Sequence, residues 1–207
     1  MFITLEGPDG SGKTSQIPAL EEFLRQKGYD VVVTREPGGT DVGDQIRDIL
    51  MNLKNTAIVP RTEILLFQAA RAQHVEEVIN PALAAGKVVI CDRFGDSTLA
   101  YQGYGHPKIN LEKLRYLVNY ATGGLKPDLT LFLDVPIKEG LARKLSQSEW
   151  NRLDAYAEGF HRRVYQGYMA LVSAEPDRWC VIDATQSKDE VQQAMREAIL
   201  DRLSSLD

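Results

Sequence analysis

A glycine-rich loop near the N-terminus constrains this chain more than any other feature. It reads GPDGSGKT over residues 7–14 and has the spacing G-x-x-x-x-G-K-T. Because glycine has no Cβ, consecutive backbone N–H groups can turn inward and surround a polyphosphate. In this motif the lysine reaches the terminal phosphates and the threonine hydroxyl binds Mg²⁺. The loop predicts a nucleotide site made of Gly7, Pro8, Asp9, Gly10, Ser11, Gly12, Lys13 and Thr14.

The segments on either side of the loop agree with this interpretation. FITLE, residues 2–6, is a short apolar-rich run typical of a buried strand, and a helical pattern of apolar residues follows the loop. Strand, loop and helix are the context that the motif requires. Pro18 falls inside this helix, where it lacks an N–H and crowds the carbonyl of Thr14. We expect a local adjustment there and not the end of the helix.

Strand-like and helical segments alternate along the rest of the chain. Further strand patterns lie at 29–34, 87–92, 128–135 and 179–184, and they are nearly continuous in apolar character. Such runs suit strands that are buried on both faces. Helical patterns lie at about 41–53, 61–85, 110–122, 136–146, 153–174 and 187–204. The alternation predicts an α/β fold, a doubly wound five-stranded parallel sheet with ligands at the carboxyl ends of its strands. The length suits a single domain over residues 1–207.

Composition excludes several classes of partner. A net charge of −5 gives no broad positive surface for nucleic acid. The sequence contains no run of 18 apolar residues that would predict a membrane span, and we read no signal peptide before the first strand. Cys91 and Cys180 lie in strand-like runs; a metal site or disulfide is possible for the pair, but two buried thiols in a reducing compartment fit better. We expect a cytoplasmic protein that binds neither nucleic acid nor membrane.

A phosphate loop alone does not define the reaction, because GTPases, motors and small-molecule kinases all use it. The chain has neither the N-K-x-D guanine signature nor the L-S-G-G-Q signature of transporter ATPases. Four further segments carry candidate site residues: TREPGGT (34–40), FQAAR (67–71), DRFGDSTLAYQG (92–103) and RLDAYAEGFHRRVYQGY (152–168). Three of them place arginine beside aromatic or acidic residues. That combination suits an acceptor that is both anionic and flat.

In these segments the chain resembles the thymidylate kinases, most closely their bacterial branch. TREPGGT, LLFQAAR, DRFGDSTLAYQG and PDLTLFLDV follow the phosphate loop in this order, and the match continues to IDATQ at 182–186. The resemblance implies a P-loop, adenylate-kinase-like fold with a small lid at about 143–153. It also implies phosphoryl transfer from ATP to dTMP with Mg²⁺, and a homodimer.

The resemblance assigns several residues to the dTMP site. It implies that Asp9 accepts a hydrogen bond from the 3′-hydroxyl, although an Asp at such a turn can also cap the following helix. Phe67 would stack on thymine and Arg71 would donate to a pyrimidine carbonyl. The two are four residues apart and so share a helix face. Without the resemblance, core packing would be the better interpretation of Phe67.

The REPGGT segment and the helix after it would hold the acceptor phosphate. The resemblance implies a cis peptide between Glu36 and Pro37, with Pro37 shaping the site. It favours Arg47 as the phosphate ligand over a solvated helix residue, since a planar guanidinium suits phosphate oxygens. Arg35 is a weaker candidate that could serve the structure instead.

The segment DRFGDSTLAYQG would carry the reacting groups. Asp92 ends a strand next to the phosphate loop, where a carboxylate can hold Mg²⁺ directly or through water. The resemblance implies that Arg93 bridges the two phosphates, that Thr98 reads the pyrimidine edge and that Tyr101 packs under the deoxyribose, where a 2′-hydroxyl would intrude. The alternatives are a surface ion pair for Asp92 and Arg93, and ordinary pocket lining for Thr98 and Tyr101.

The adenine site and the lid are less defined. The resemblance suggests adenine contacts near the backbone of Ala184 and stacking by Arg143. Members of the family place an arginine in the loop or in the lid, but here Gly10 follows Asp9, and the centre of the lid, residues 145–148, reads LSQS. We therefore hypothesise that Arg152, oriented by Asp154, closes over the phosphates. Lys144 reads as a solvated cation at a helix end.

Two other functions stay open at this point. A deoxynucleoside kinase would phosphorylate a neutral hydroxyl and would need a carboxylate base near it, but the acceptor-side arginines argue against this. A non-catalytic nucleotide-binding regulator would not need Lys13, Asp92 and Arg93 together.

Overall fold

The computed structural model describes residues 1–145 and 151–205. Its five strands form one parallel sheet in the order β2-β3-β1-β4-β5, which confirms the predicted fold class. The strands are β1 (Phe2–Glu6), β2 (Val31–Arg35), β3 (Val88–Asp92), β4 (Leu129–Asp134) and β5 (Trp179–Asp183). With β1 at the centre, the loop that follows it opens at the carboxyl edge, between the ends of β3 and β4.

The helices follow the strands in the order that a doubly wound sheet requires. In the described residues they are α1 (Lys13–Gln26), α2 (Asp41–Met51), α3 (Pro60–His74), α4 (Asn80–Ala84), α5 (Gly95–Thr98), α6 (Leu111–Thr122), α7 (Ile137–Leu145), α8 (Glu158–Ala174) and α9 (Lys188–Ser204). A π-helical turn, Val75–Ile79, joins α3 to α4, and a second one, Leu99–Tyr104, extends α5. None of the helices in 1–145 and 151–205 has the length and apolar character needed to cross a membrane.

The core lies on both faces of the sheet, as predicted for the central strands, but the edge strands β2 and β5 are only partly buried, and Val33 and Val181 are exposed. On one face, α1 and α9 pack against the sheet through residues such as Leu20 and Met195. On the other face, Phe132 of β4 packs against Tyr168 and Leu171 of α8. The central strand β1 is buried along its whole length. Because the sheet is packed on both faces, the side chains at the carboxyl ends of its strands are held in defined positions.

Two predicted helices differ from the structure, and one helical segment was missed. The pattern at 61–85 is broken by the π-helical turn before Pro81, which stands in the first turn of α4, where a missing N–H is tolerated. The helical segment 95–104 was not predicted. The helix predicted from 153 begins only at Glu158, because residues 151–157 form turns. The expectation that Pro18 does not end the helix is confirmed, since α1 continues through it to Gln26.

Candidate active site

A cavity of about 500 Å³ opens at the carboxyl edge of the sheet, where the strand order predicted a ligand site. The phosphate loop forms one wall, and residues from the ends of β2 and β3 and from α2, α3 and the π-helical turn after α5 form the others. Its lining includes Asp9, Lys13, Thr14, Arg35, Arg47, Phe67, Arg71, Asp92, Arg93, Thr98, Tyr101 and Lys144. The structure thus brings together most of the residues that the sequence singled out.

The side chain of Lys13 is hydrogen-bonded to oxygen atoms of the phosphate loop itself. Lys13 Nζ donates to the carbonyls of Gly7 at 3.1 Å and Pro8 at 2.9 Å, and to Ser11 Oγ at 3.1 Å. Burial and the nearby charge of Arg93 lower the pKa of Lys13 to about 8. Gly10 has φ 76°, and a Cβ there would lie 1.9 Å from the carbonyl oxygen of Gly140 in α7. Only glycine therefore lets the loop lie against α7.

Asp9 does not cap the helix that follows it. The N-cap of α1 is Gly12, without a side-chain cap bond. Asp9 Oδ1 accepts from Arg93 at 2.8 Å and Oδ2 accepts from the Tyr101 hydroxyl at 2.6 Å. Burial opposes ionisation of Asp9, but the charges of Arg93 and Lys13 and the bond from Tyr101 outweigh it and lower the pKa to about 2. The alternative of a capping turn is therefore wrong, and Asp9 is an ionised group at the cavity wall.

Thr14 and Asp92 form an oxygen pair suited to a magnesium ion. Parallel pairing places Asp92 of β3 beside Leu5 of β1, next to the start of the loop. The Thr14 hydroxyl donates to Asp92 Oδ2 at 2.8 Å. Mg²⁺ is usually held by one or two carboxylates with water and substrate phosphates supplying the other ligands. The pair fits that pattern, and no group of three or more His, Cys, Asp or Glu that could hold a metal ion occurs in the described part of the chain.

Arg93 is not part of a surface ion pair. Its φ of 68° is in the left-handed region, a conformation that costs a non-glycine residue on the order of 1–3 kcal/mol. This backbone turns the side chain into the cavity, where it also donates to Ser97 Oγ and to the Tyr168 hydroxyl, each at 3.1 Å. The side chain is 16% exposed. Arg93 is thus held at the point where the loop and the acceptor side of the cavity meet.

Glu6 lies beneath this cluster, and the sequence reasoning missed it. It is fully buried at the end of β1 and accepts from the Phe94 N–H at 2.9 Å, from Ser97 Oγ at 2.6 Å and from the Tyr168 hydroxyl at 2.8 Å. Burial and the nearby Asp96 raise the pKa of Glu6 to about 6. A charged residue at the end of an apolar strand, just before the loop, was the signal that could have found it.

Arg71 lines the cavity and is held by a complete set of acceptors. It is 2% exposed, and Nε donates to Glu36 Oε2 at 2.8 Å. Its terminal nitrogens donate to Gln68 Oε1 and Thr98 Oγ1, each at 3.0 Å, and to the Phe94 carbonyl at 3.1 Å. Phe67, Arg71 and Thr98 therefore lie together, as the resemblance implied.

A residue that the sequence reasoning did not consider supports Glu36 from behind. His74 Nδ1 lies 3.1 Å from Glu36 Oε1, and His74 Nε2 lies 2.6 Å from Thr34 Oγ1. His74 is fully buried at the end of α3. The position of Arg71 is thus set by a chain of buried polar contacts that reaches back to β2.

Positive charge is concentrated where Arg35 and Arg47 line the cavity. Arg47 of α2 donates to the Pro37 carbonyl at 2.9 Å, and the peptide between Glu36 and Pro37 is cis, as expected. Arg35 lies 3.2 Å from Asp44. Burial and the neighbouring Arg35 lower the pKa of Arg47, because both effects disfavour its charge. With Arg93 opposite, these arginines form a site for an anion.

The residues assigned to adenine lie at the other side of the loop. Arg143 donates to the Ala184 carbonyl at 3.1 Å and to Glu139 at 2.5 Å. The structure brings Arg143 and Ala184 together, but neither lines the cavity. Lys144, one residue further, does line it, and its charge is one of those that lower the pKa of Asp9.

The structure does not bring Arg152 into the cavity. Its guanidinium is buried and donates to the Leu50 carbonyl at 2.9 Å and to Glu63 Oε2 at 2.5 Å. The expected partner was wrong, because Asp154 Oδ2 accepts instead from the N–H and the amide of Asn151. Asn151 and Leu153 line the cavity in its place. Of the predicted lid centre, residues 146–148 lie outside the described residues.

Known proteins are similar to this chain in sequence and in architecture. The family model described as thymidylate kinase matches residues 5–195. A thymidylate kinase of a Synechococcus species is 52% identical over 203 residues, covering 98% of this chain and 96% of that protein. One from an Exiguobacterium species is 47% identical, covering 98% and 95%. A crystal structure of thymidylate kinase from Ehrlichia chaffeensis matches with a TM-score of 0.78 at 35% identity, covering 97% and 98%.

Proposed function

The chain belongs to the thymidylate kinase family and phosphorylates dTMP to dTDP with ATP as the donor, and we propose that the two substrates meet in the cavity at the carboxyl edge of the sheet. One observation carries this proposal. The phosphate loop lines a single cavity together with the arginines Arg35, Arg47 and Arg93 and the aromatic residues Phe67 and Tyr101. Such a cavity matches an acceptor with a charged phosphate and a flat base beside a triphosphate.

The acceptor fits the cavity in one orientation. Phe67 stacks on the thymine, and Arg71 and Thr98 face its polar edge from the same end. Asp9 and Tyr101, already joined by a hydrogen bond, take the deoxyribose. The dTMP phosphate then lies at the other end, with Arg47 and the Pro37 segment on one side and Arg93 on the other.

The reaction is an in-line displacement. A dTMP phosphate oxygen attacks the γ-phosphorus of ATP, the bond to the β,γ-bridging oxygen breaks, and ADP leaves with that electron pair. A phosphate monoester is already an anion at neutral pH, so the step needs positioning and charge stabilisation more than a general base. Lys13 and Arg93 supply positive charge, and Lys144 faces the same space. Mg²⁺, when bound at Thr14 and Asp92, would neutralise phosphate charge. Arg143 and Ala184 contact the adenine.

The same proposal includes a homodimer formed by α2, α3 and α6. These helices pack side by side. Their outer surface exposes apolar side chains, among them Ile49, Leu65, Tyr116 and Tyr120. Several large exposed apolar side chains on neighbouring helices are a feature of protein interfaces. Sedimentation of the chain should give twice the 23.1 kDa mass, and Leu65→Glu with Tyr120→Glu should give the monomer.

The proposal also places the enzyme in the cytoplasm, as one domain. Cys91 and Cys180 are free, and burial raises the pKa of both thiols, which suits unreactive cysteines in a reducing compartment.

The assigned phosphate site is tested with Lys13→Ala. ADP release should fall by about 100-fold or more, because the lysine acts on charge that develops in the transition state. Binding of dTMP, measured calorimetrically without ATP, should stay close to the parent value. Lys27→Ala, which removes an exposed lysine after the other end of α1, is the matched control and should leave both quantities unchanged. Near-normal turnover of Lys13→Ala would contradict the assignment.

A further inference from the structure

We infer that Arg152 is a positioning residue for the dTMP base pocket, and that it acts by fixing residues 151–156, here called the wall segment, against α2 and α3. This inference rests on the proposed placement of dTMP in the cavity. It replaces the hypothesis that Arg152 closes over the phosphates.

Arg152 is tied to both helices by buried polar contacts. Its N–H bonds to the Met51 carbonyl at 3.3 Å, and Nε bonds to the Leu50 carbonyl at 2.9 Å. Carbonyls in the last turn of a helix lack intrahelical partners, so Arg152 satisfies the end of α2. The guanidinium also pairs with Glu63 of α3, whose side chain is fully buried.

Glu63 extends the contact to a third element. Its Oε1 accepts from Gln102 Nε2 at 2.8 Å, and Gln102 belongs to the π-helical turn that also carries Tyr101. Burial opposes ionisation of Glu63, but the nearby His106 and the hydrogen bonds from Gln102 and Arg152 outweigh burial and lower its pKa. The wall segment is therefore clamped to the two helices and the turn that surround the base pocket.

Leu153 is the residue that this clamp positions. It is buried in one apolar cluster with Leu50 and Phe67, and Ile46, Met51, Leu66 and Tyr156 pack against that cluster. Leu153, Met51 and Phe67 all line the cavity. The aromatic ring proposed to stack on thymine is thus supported by a residue next to Arg152. Loss of the clamp would let Leu153 withdraw and would loosen Phe67.

A role at the phosphates would require Arg152 to leave these partners. Glu63 would then be a buried charge without its cation, which is strongly unfavourable. The Leu50 carbonyl would lose its donor in the same movement. The buried position of Arg152 therefore favours the clamp over a cation that moves to the phosphates.

The test is binding of dTMP in the absence of ATP, measured calorimetrically, together with steady-state kinetics. Arg152→Gln should raise the Kd and the KM for dTMP by about 10- to 100-fold while kcat and the KM for ATP stay within about threefold of the parent. Arg152→Lys should recover part of the affinity, because an ammonium can pair with Glu63. Glu63→Gln should reproduce the loss, and the double variant Glu63→Gln/Arg152→Gln should add little to it.

Two reference variants separate the possible outcomes. Met195→Ala opens a cavity in the core beneath α9, away from the site, and should lower Tm without changing the Kd for dTMP. Phe67→Ala reports on the placement of dTMP itself. If Phe67→Ala weakens dTMP binding and Arg152→Gln does not, the inference is overturned. A large fall in kcat for Arg152→Gln at unchanged Kd would overturn it as well. If neither variant weakens binding, the proposed placement of dTMP is what fails.

Discussion

Arg47 and Arg35 offer the sharpest test of how the acceptor phosphate is bound. Both line the positive end of the cavity, but their partners differ. Arg35 is exposed and already pairs with Asp44 at 3.2 Å, whereas Arg47 is half-buried and donates to the Pro37 carbonyl. Burial and the charge of Arg35 lower the pKa of Arg47, although Asp44 and Asp92 act against them, so an anion bound beside Arg47 would further stabilise its charge.

The size of the effect follows from this difference. A hydrogen bond to a charged group contributes about 1.5–3 kcal/mol, so Arg47→Ala should raise the KM for dTMP by roughly 10- to 150-fold. The contact exists in the ground state and in the transition state, so kcat should change little. Arg35→Ala removes a charge that Asp44 already offsets, so it should raise the KM for dTMP by less than about fivefold. The KM for dTMP of Arg47→Lys should lie between those of Arg35→Ala and Arg47→Ala, because lysine keeps the charge but lacks the planar guanidinium.

Steady-state ADP release at saturating ATP, with dTMP varied, measures these constants, and thermal unfolding checks that each variant is folded. Equal losses in Arg35→Ala and Arg47→Ala would show that the site responds to total charge and not to the geometry described. A KM for Arg47→Ala within about threefold of the parent would remove Arg47 from the acceptor site.

Three further predictions use other parts of the site. Because the pKa of Lys13 is lowered to about 8, its charge is present below that pH and is lost above it. The kcat/KM for ATP should therefore fall about tenfold per pH unit above pH 8. A kcat/KM that stays constant to about pH 9.5, roughly one and a half units past that pKa, would refute this prediction. Tyr101→Ala should narrow the preference for dTMP over ribo-TMP by at least about tenfold, measured as the ratio of kcat/KM values, and an unchanged ratio would count against its role under the sugar. Asp92→Asn should raise the Mg²⁺ concentration for half-maximal rate by about 10- to 100-fold, and an unaltered Mg²⁺ titration would show that the ion is held elsewhere.

Local patterns predicted the fold and the centre of the site. The apolar runs located all five strands, and the spacing of Gly7, Gly12, Lys13 and Thr14 located the phosphate loop at the carboxyl edge. The parallel order then places Asp92 beside that loop, since β1 and β3 are neighbours. These features depend on residues close in sequence or on the general rules of parallel sheets, which a single sequence contains.

Features that depend on tertiary partners were not predictable in the same way. Arg152 was expected at the phosphates with Asp154, but Glu63, which lies about 90 positions earlier in the chain, is its partner. His74 was missed because its partners Thr34 and Glu36 lie about 40 positions earlier in the chain, and Glu6 was missed although a charged residue at the end of an apolar strand is a local signal. The late start of α8 has the same origin, since Arg152 and Leu153 face inward and residues 151–157 turn.

The most direct measurement of the central claim is ADP release by the unmodified enzyme across a panel of acceptors: dTMP, dUMP, dCMP, dAMP, dGMP and thymidine. An apolar pocket that holds one extra methyl group typically raises kcat/KM by about 10- to 200-fold over the substrate without it. The acceptor dTMP should therefore have the highest kcat/KM, with dUMP below it by about that factor. Thymidine, which has no phosphate for Arg47 and Arg93, should not turn over above background. A higher kcat/KM for dCMP or for a purine monophosphate, or turnover of thymidine comparable to that of dTMP, would contradict the account.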